Sequence, residues 1–313
     1  MKNPQNIQPD LIDEPEKILI VDDSPSVLRA MEKQLELAGH KSISARDGRE
    51  AMEILKNETN ICLIISDWLM PNMDGLELLS QVRQFPLLEN IPFLMVTVLD
   101  STEEAVVALR KGANDYIRKP YHPEELLARA GNLVKLWRFE KQLHRQATFD
   151  ELTGLYNRNN FTILLETEIA RSKRYGNDFT LIMFDVDFFK TTNDQHGHLA
   201  GDLVLRHLGT FIKQQVRNVD YPCRYGGEEF ALILPNTELP GATLLAERLR
   251  ENIGLLAMDV SEKASISITC SFGVAQFIAS EDDFESLVRK TDAALYESKK
   301  NGRNKVTTAP HPH

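Results

Sequence analysis

The chain has 313 residues, of which 42% are hydrophobic and 26% charged, values that are typical of a folded globular protein. This length predicts about two domains, each large enough to bury its own core. A formal net charge of -10 argues against a broad nucleic-acid-binding surface. The sequence contains no apolar leader and no run of about 18 apolar residues, which predicts a cytoplasmic protein without a membrane partner. Three widely separated cysteines in apolar runs predict buried thiols (Cys62, Cys223 and Cys270).

The first half of the chain has the pattern of an α/β domain. Residues 1–15 are polar and predict a disordered tail, and short apolar runs then alternate with amphipathic helical patterns over residues 16–135. The predicted strands cover 18–21, 42–45, 62–66, 93–97 and 115–118. Five strands that alternate with helices predict a doubly wound parallel sheet, which binds ligands at the carboxyl ends of its strands.

Polar residues collect at these strand ends. They are Asp22 and Asp23 after the first strand, Asp67 at the third, Thr97 at the fourth and Lys119 at the fifth. Three converging carboxylates repel one another unless a hard cation neutralises them, so the pattern predicts a Mg²⁺ site. Acidic helix N-caps are the alternative, and they would explain one of these carboxylates but not the set.

The motifs VDDS (21–24), SDWLMPNMDG (66–75), Thr97 and DYIRKP (115–120) resemble the receiver domain of two-component response regulators. The resemblance implies a flavodoxin-like fold and a cognate histidine kinase that donates a phosphoryl group to Asp67. The implied Mg²⁺ ligands are Asp23, Asp67 and the carbonyl group of Leu69, with Asp22 assisting. Phosphoryl contacts and the rotamer switch would fall to Thr97, Lys119 and Tyr116. Val98 departs from the family pattern, which has a small residue there.

The last receiver helix is predicted to continue through a linker over residues 123–149. An approximate a/d spacing along it, interrupted by Arg129 and Glu140, is formed by Leu126, Leu133, Leu136, Leu143 and Ala147. We favour a dimerising signalling helix. A single amphipathic helix that lies on its own domain is the alternative.

The second half, residues 150–308, predicts a βαββαβ order with an antiparallel or mixed sheet and helices on one face. Gly226 and Gly227 separate two strand patterns and predict a hairpin turn, just before the adjacent carboxylates of Glu228 and Glu229. Asp185 ends another strand pattern. If the two strands pair, Asp185 and Glu228 meet over one Mg²⁺, as in phosphoryl-transfer sites.

Further polar residues lie in segments that are predicted to be loops or helix ends. Lys190, Lys299 and Arg303 supply cations, and Asn193 with Asp202 supplies a polar pair able to bind a purine edge. A lone Asn or Asp in a loop is more typical of a turn.

The motifs DELTGLYNR (150–158), DVDFFKTTNDQHGHLAGD (185–202), RYGGEEF (224–230) and KKNGRN (299–304) resemble the GGDEF family of diguanylate cyclases. The resemblance implies a palm-like α+β fold and a homodimer that condenses two GTP into cyclic di-GMP and two pyrophosphates. The implied Mg²⁺ ligands are Asp185, the Val186 carbonyl and Glu228. The implied GTP contacts are Phe188, Phe189, Lys190, Asn193, Asp202, Gly226, Gly227, Lys299 and Arg303. Glu228 or Glu229 would help to deprotonate the ribose 3′-OH.

An RxxD motif precedes the hairpin. In the family, an RxxD at this offset is a product-inhibition site, which would be formed here by Arg217 and Asp220 with Arg248. A surface ion pair at a helix end is the alternative, worth under about 1 kcal/mol.

Together the motifs predict a phosphorylation-activated diguanylate cyclase with product feedback and Mg²⁺ in both domains, followed by a short tail (309–313). A non-catalytic effector that binds cyclic di-GMP or GTP is the alternative. A receiver-controlled transcription factor would need a DNA-binding module, and no segment is left for one.

Overall fold

The computed structural model describes residues 15–98, 102–261 and 264–310. The chain divides into two compact units between Leu143 and His144. The predicted tails lie outside the described residues, apart from Pro15, Ala309 and Pro310. Ala309 corrects the predicted end of the second domain: it is buried, and its N–H donates to the Val274 carbonyl at 2.7 Å. In the described part of the chain, every helix is too short or too polar to span a bilayer.

The first unit is built on a five-stranded parallel sheet with the order β2-β1-β3-β4-β5. Its strands are β1 (Lys17–Val21), β2 (Lys41–Ala45), β3 (Ile61–Asp67), β4 (Phe93–Thr97) and β5 (Asp115–Arg118). Its helices are α1 (Pro25–Leu37), α2 (Gly48–Asn57), α3 (Gly75–Gln84), α4 (Thr102–Arg110) and α5 (Pro123–Thr148), of which residues 144–148 belong to the second unit. This topology confirms the predicted flavodoxin-like, doubly wound fold.

Burial on both faces explains the continuous apolar strands of this sheet. Leu19 and Ile64 belong to one core cluster and Ile18 and Ile65 to the other, because successive side chains of a strand point to opposite faces. The strand order places β1 beside β3, so the carboxylates that end these strands are neighbours.

Helix α5 is continuous over 26 residues, but the predicted seam along it is wrong in its first half. Leu126 and Leu133 are buried in the core of the first unit, so they are not available to a partner helix. The exposed apolar residues lie further along: Leu136, Phe139 and Leu143 are 45%, 59% and 49% exposed. We call these three residues the α5 stripe.

The second unit has a mixed sheet with the order β12-β11-β6-β8-β7, antiparallel except for the parallel pair β11 and β12. Its strands are β6 (Phe179–Val186), β7 (Tyr221–Gly226), β8 (Glu229–Pro235), β11 (Cys270–Gln276) and β12 (Val306–Thr308), and a separate hairpin pairs β9 (Met258–Ser261) with β10 (Ala264–Ile266). Its helices are α6 (Arg158–Tyr175), α7 (Phe189–His196), α8 (His198–Gln215), α9 (Leu239–Leu255) and α10 (Phe284–Lys300).

Helices cover both faces of this sheet, which corrects the prediction of one covered face. Ile182 and Phe184 of β6 pack in a cluster with α8 and α9, whereas Leu181 and Met183 pack in a cluster with α6 and α10. The unbroken apolar run of β6 is the signal for this arrangement, because a strand buried on both sides does not alternate.

Two further corrections concern the surroundings of the hairpin. The predicted loop from Asn193 to Asp202 consists of the end of α7 and the start of α8, joined at Gly197 with φ 84°. The hairpin turn comprises Gly227 and Glu228 rather than Gly226 and Gly227, because Gly226 still pairs with Glu229. Gly227 has φ 54°, a left-handed conformation that glycine adopts at little cost.

Candidate functional site

The first unit gathers three carboxylates at the carboxyl ends of β1 and β3. Asp22, Asp23 and Asp67 each offer an oxygen within 4.8 Å of the others, and they form the one such group of three found among the described residues. Lys119 Nζ lies 2.8 Å from Asp22 Oδ2 and 2.9 Å from Asp67 Oδ2. Oxygen donors in this number fit Mg²⁺, and the ammonium group neutralises part of their charge.

The electrostatics of this pocket follow from burial and from Lys119. Burial raises the pKa of Asp67, against the hydrogen bond from Lys119. Burial acts to lower the pKa of Lys119, but hydrogen bonds to Asp22 and Asp67 outweigh it and raise that pKa. Lys119 is therefore a firmly charged cation beside the carboxylates.

The remaining predicted receiver residues surround this pocket. Thr97 is buried at the end of β4, and its carbonyl accepts the Lys119 N–H at 2.7 Å. Tyr116 packs partly buried against the core, while Leu69 and Val98 have exposed side chains.

The second unit places another carboxylate at the end of β6. Asp185 is 8% exposed, its Oδ2 lies 2.9 Å from Lys299 Nζ, and its cross-strand partner is Glu229. The Glu228 carbonyl accepts the Val186 N–H at 3.3 Å, which ties the turn to the end of β6. The structure thus brings Asp185 next to both glutamates of the hairpin, with Glu228 in the turn itself.

The Asp185 carboxyl has an unusual titration. Its pKa is raised to about 6: burial is the main cause, Lys299 opposes it, and the charges of Glu228 and Glu229 add to it. Such a group favours the approach of a cation, because a cation relieves both the burial cost and the repulsion. The donors present are carboxylate and carbonyl oxygens, which fit Mg²⁺.

Beside this acid site, α7 and α8 approach closely at a polar group. Asn193 Oδ1 is buried and makes no hydrogen bond within the described residues. A Cβ on Gly201 would stand 1.9 Å from that oxygen, so glycine is needed for the contact. Asp202 follows directly and is half-buried. The predicted purine-binding residues are therefore neighbours, and one of them has a free acceptor.

The predicted phosphate-binding residues come from two segments. Phe188 is 63% exposed with φ 56°, and the Arg303 guanidinium lies 4.5 Å from its ring centroid. Lys190 is exposed, whereas the Phe189 side chain is buried and leaves only its main chain for a ligand.

The RxxD residues form a local turn rather than the simple surface ion pair considered as the alternative. Asp220 is 6% exposed and accepts the backbone N–H of Arg217 at 2.8 Å through Oδ2, while its Oδ1 makes no hydrogen bond within the described ranges. Burial raises the pKa of Asp220. Arg248 Nη2 donates to the Gln215 carbonyl at 2.9 Å, close to this turn.

Arg171 of α6 is a further cation near this turn. It pairs with the buried carboxylate of Glu168 at 3.2 Å, and it acts to lower the pKa of Tyr221, which burial, Glu168 and Asp220 act to raise. It is far from the RxxD motif in the chain, so no local spacing could have revealed it.

Comparison with known proteins agrees with this geometry. The family model described as "Diguanylate cyclase, GGDEF domain" matches residues 147–305, and the model of the response regulator receiver domain matches residues 18–131. The chain belongs to the GGDEF family. Its N-terminal unit is a receiver domain.

Relatives of this GGDEF protein include response regulator PleD from Caulobacter vibrioides, 32% identical over 93% of this chain and 65% of PleD. Diguanylate cyclase A from Treponema denticola is 40% identical over 53% of this chain and 45% of that protein. A crystal structure of the coiled coil and GGDEF domain of DgcB from Caulobacter crescentus, in complex with c-di-GMP, matches with 31% identity and a TM-score of 0.54, over 59% of this chain and 98% of that one. The GGDEF protein spans less than two thirds of the length of these two curated relatives.

Proposed function

We propose that the protein is a diguanylate cyclase: each GGDEF domain binds one GTP, and two domains together form cyclic di-GMP with release of two pyrophosphates. The observation that carries the proposal is the burial of Asp185 beside Lys299 and the two hairpin glutamates. Family membership supports the same reaction.

In this proposal the oxygen donors of the hairpin site hold Mg²⁺ through Asp185, the Val186 carbonyl and Glu228. Bound there, the ion would supply charge neutralisation for the triphosphate. Lys299 pairs with Asp185 in the structure, and with Asp185 engaged as a ligand its ammonium group would be available to phosphate oxygens. Glu228 or Glu229 accepts the proton of the ribose 3′-OH.

The other groups of the site orient the nucleotide. The main-chain N–H groups at Phe188 to Lys190 lie at the N-terminus of α7, which favours anions, and the Arg303 guanidinium lies beside them. Asn193 and Asp202 bind the guanine edge; the unpartnered Asn193 oxygen supports this role, because a guanine N–H would satisfy it.

We further propose that the active species is a homodimer. One GGDEF domain supplies a single nucleotide, so the 3′-OH of each GTP needs the α-phosphate held by a second domain. The α5 stripe, with its three exposed apolar side chains, supports pairing with a second copy of the chain.

Regulation in this proposal comes from the receiver and from product. A histidine kinase phosphorylates Asp67, with Mg²⁺ held by Asp22, Asp23, Asp67 and the Leu69 carbonyl. Lys119 and Thr97 contact the new phosphoryl oxygens, and Tyr116 follows Thr97 inward.

Cyclic di-GMP binds at Arg217, Asp220 and Arg248. One Asp220 oxygen has no partner within the described residues and is available to this ligand. Arg171 is a neighbouring cation.

Incubation with GTP and Mg²⁺, followed by mass measurement of the products, tests the reaction. We expect cyclic di-GMP, and a loss of roughly 100-fold or more in turnover with Glu228→Gln. Glu229→Gln is the matched variant one residue away. If only Glu229→Gln abolishes turnover, the two roles are exchanged. Binding of cyclic di-GMP or GTP by the wild type without any turnover would instead establish a non-catalytic effector.

Activation is tested in the same assay with beryllofluoride, a phosphoryl mimic, and with Asp67→Asn as the control. We expect the mimic to raise turnover of the wild type and to leave Asp67→Asn unchanged. Equal turnover of the wild type with and without the mimic would contradict activation through Asp67.

A further inference from the structure

Asp187 has a buried carboxylate that the proposed reaction does not use. It is 5% exposed, directly after β6, and it accepts three hydrogen bonds. Thr269 Oγ1 donates to Oδ2 at 2.8 Å, Ser271 Oγ donates to Oδ1 at 2.6 Å, and the backbone N–H of Asn304 donates to Oδ2 at 3.0 Å. The donors are all neutral, so the carboxylate is stabilised by fixed dipoles.

The Asn304 bond holds a segment with an uncommon backbone. Gly302, Arg303 and Asn304 have φ values of 105°, 61° and 46°, three consecutive residues with positive φ. Residues other than glycine seldom adopt this conformation, and it persists only where surrounding contacts enforce it. Two hydrogen bonds supply these contacts: Arg303 N–H to the Ser298 carbonyl at 3.0 Å, and Asn304 N–H to Asp187.

Phe188, the residue directly after Asp187, also has an uncommon backbone conformation. It has positive φ, it is the N-cap of α7, and its ring is covered by the Arg303 guanidinium. One carboxylate therefore fastens two segments to each other: the start of α7, and the turn that carries Arg303. Both are segments to which the proposed function assigns the triphosphate.

We propose that Asp187 is a positioning residue for the triphosphate of GTP. By holding the Asn304 amide, it fixes the Arg303 guanidinium and the first N–H groups of α7 so that they face the same anion before the nucleotide arrives. Such preorganisation lowers the entropy lost on binding. The inference rests on the proposed function, because it needs GTP as the ligand.

A positioning role predicts a loss that depends on the number of phosphates. Binding to the full chain is measured by calorimetry in Mg²⁺ for GMP, GDP and α,β-methylene GTP, which cannot lose pyrophosphate. With Asp187→Ala we expect affinity for the GTP analogue to fall ~10-fold and affinity for GMP to change less than ~2-fold. In turnover, KM for GTP rises by a similar factor, while kcat changes less than ~3-fold.

Two matched variants separate positioning from general destabilisation. In Asp187→Asn, the amide oxygen can accept the Asn304 N–H while the amide nitrogen donates to the Ser271 hydroxyl, so the bond to Asn304 is kept. We therefore expect Asp187→Asn, unlike Asp187→Ala, to bind the GTP analogue within ~3-fold of wild type. Ser271→Ala removes a hydrogen bond to the same carboxylate without touching Asn304, and we expect its nucleotide affinities to remain unchanged.

A double-mutant cycle identifies the group through which Asp187 acts. If Asp187 positions Arg303, the loss of affinity caused by Asp187→Ala is smaller in the Arg303→Ala background than in the wild type, and the loss that remains acts through the N–H groups of α7. Should Asp187→Ala fail to fold, Asp187→Ser replaces it, since a serine side chain is too short to reach the Asn304 amide.

The outcomes keep the two proposals apart. Equal losses for all three nucleotides, or unchanged affinity for the GTP analogue in a folded Asp187→Ala variant, overturn the positioning role. A wild-type protein that neither binds the analogue nor makes cyclic di-GMP overturns the proposed function itself.

Discussion

Arg224 joins Asp150 to the turn of the GGDEF hairpin. Its Nη1 lies 3.1 Å from both carboxylate oxygens of Asp150, while its Nε and Nη2 donate to the Gly227 carbonyl at 2.9 and 2.8 Å. Asp150 follows the end of α5 at Thr148, and it also accepts hydrogen bonds from Thr153. A displacement at the end of α5 therefore has a short, polar route to the turn that contains Glu228.

Removal of this contact tests the route. With Asp150→Ala we expect turnover to fall ~10-fold and activation by beryllofluoride to weaken, because Arg224 loses the carboxylate that holds it against the Gly227 carbonyl. The measurement is cyclic di-GMP formation with and without the mimic. Asn159→Ala, a change at an exposed residue of α6, is the control and should leave both quantities unchanged. An Asp150→Ala variant with normal turnover and normal activation would show that the contact is only structural.

The raised pKa of Asp185 predicts a dependence of stability on pH. The pKa of Asp185 is about 6 in the folded protein and 3.8 in the unfolded chain, so the unfolded chain loses the carboxyl proton at lower pH. The free energy of unfolding therefore decreases as pH rises from about 4 to 6. Since one pKa unit corresponds to about 1.4 kcal/mol, the cost above pH 6 is up to roughly 3 kcal/mol. Asp185→Asn removes it.

Thermal unfolding of the wild type and of Asp185→Asn, at pH 4 to 8 and with a chelator present to remove metal ions, measures this effect. We expect the melting temperature of Asp185→Asn, relative to wild type, to increase with pH between 4 and 6 and to level off above. With Mg²⁺ added, the wild type should gain stability and the variant should not. A constant difference between the two proteins across the pH range would contradict the assigned cause.

Gly226 offers a test of ligand approach that is independent of folding. A Cβ at this position would meet no atom within 4 Å, and the residue does not have positive φ, so the chain itself tolerates a side chain there. We expect Gly226→Ala to unfold within ~1 °C of wild type but to raise KM for GTP ~10-fold or more, because the added methyl group occupies space needed by the nucleotide.

The control is Gly241→Ala on α9, where the nearest atom to the new Cβ is Thr237 Cγ2 at an ordinary 3.5 Å. Both KM and stability of this variant should remain close to wild type. If Gly226→Ala retains the wild-type KM, the nucleotide does not pass close to Gly226.

The α5 stripe predicts a concentration-dependent assembly. Leu136→Glu combined with Leu143→Glu places two charges on the apolar surface, and we expect sedimentation to shift from dimer to monomer with a loss of at least ~10-fold in turnover. Lys135→Glu, at an exposed polar position next to Leu136, is the matched control. A dimer that persists in the double variant would place the interface elsewhere.

Features that depend on short stretches of the chain are predictable from the sequence, whereas features that depend on packing between distant residues are not. The strands of the receiver domain were predicted within about a residue, because each is a short apolar run bounded by turn residues. The acid pocket was also predictable, since a parallel sheet brings its strand ends together. The same reasoning failed for the α5 seam: Leu126 and Leu133 fit an a/d spacing, but the receiver core covers them.

In the GGDEF domain, the contacts that sequence reasoning missed join residues far apart in the chain. Arg224 binds Asp150 and Asp187 binds the Asn304 amide; neither pair has a characteristic spacing. The segment 193–202 is predicted as a loop, but it contains the end of α7 and the start of α8, and Phe189 is the buried residue that anchors α7.

The proposed pairing through the α5 stripe has a consequence for protein abundance. If a second copy covers the α5 stripe, the fraction of competent dimers depends on concentration relative to the dimer dissociation constant. Below that constant, the rate of second-messenger synthesis in a cell would grow with the square of the copy number, and above it only in proportion. Expression level and dilution by growth would then set the output before any kinase acts.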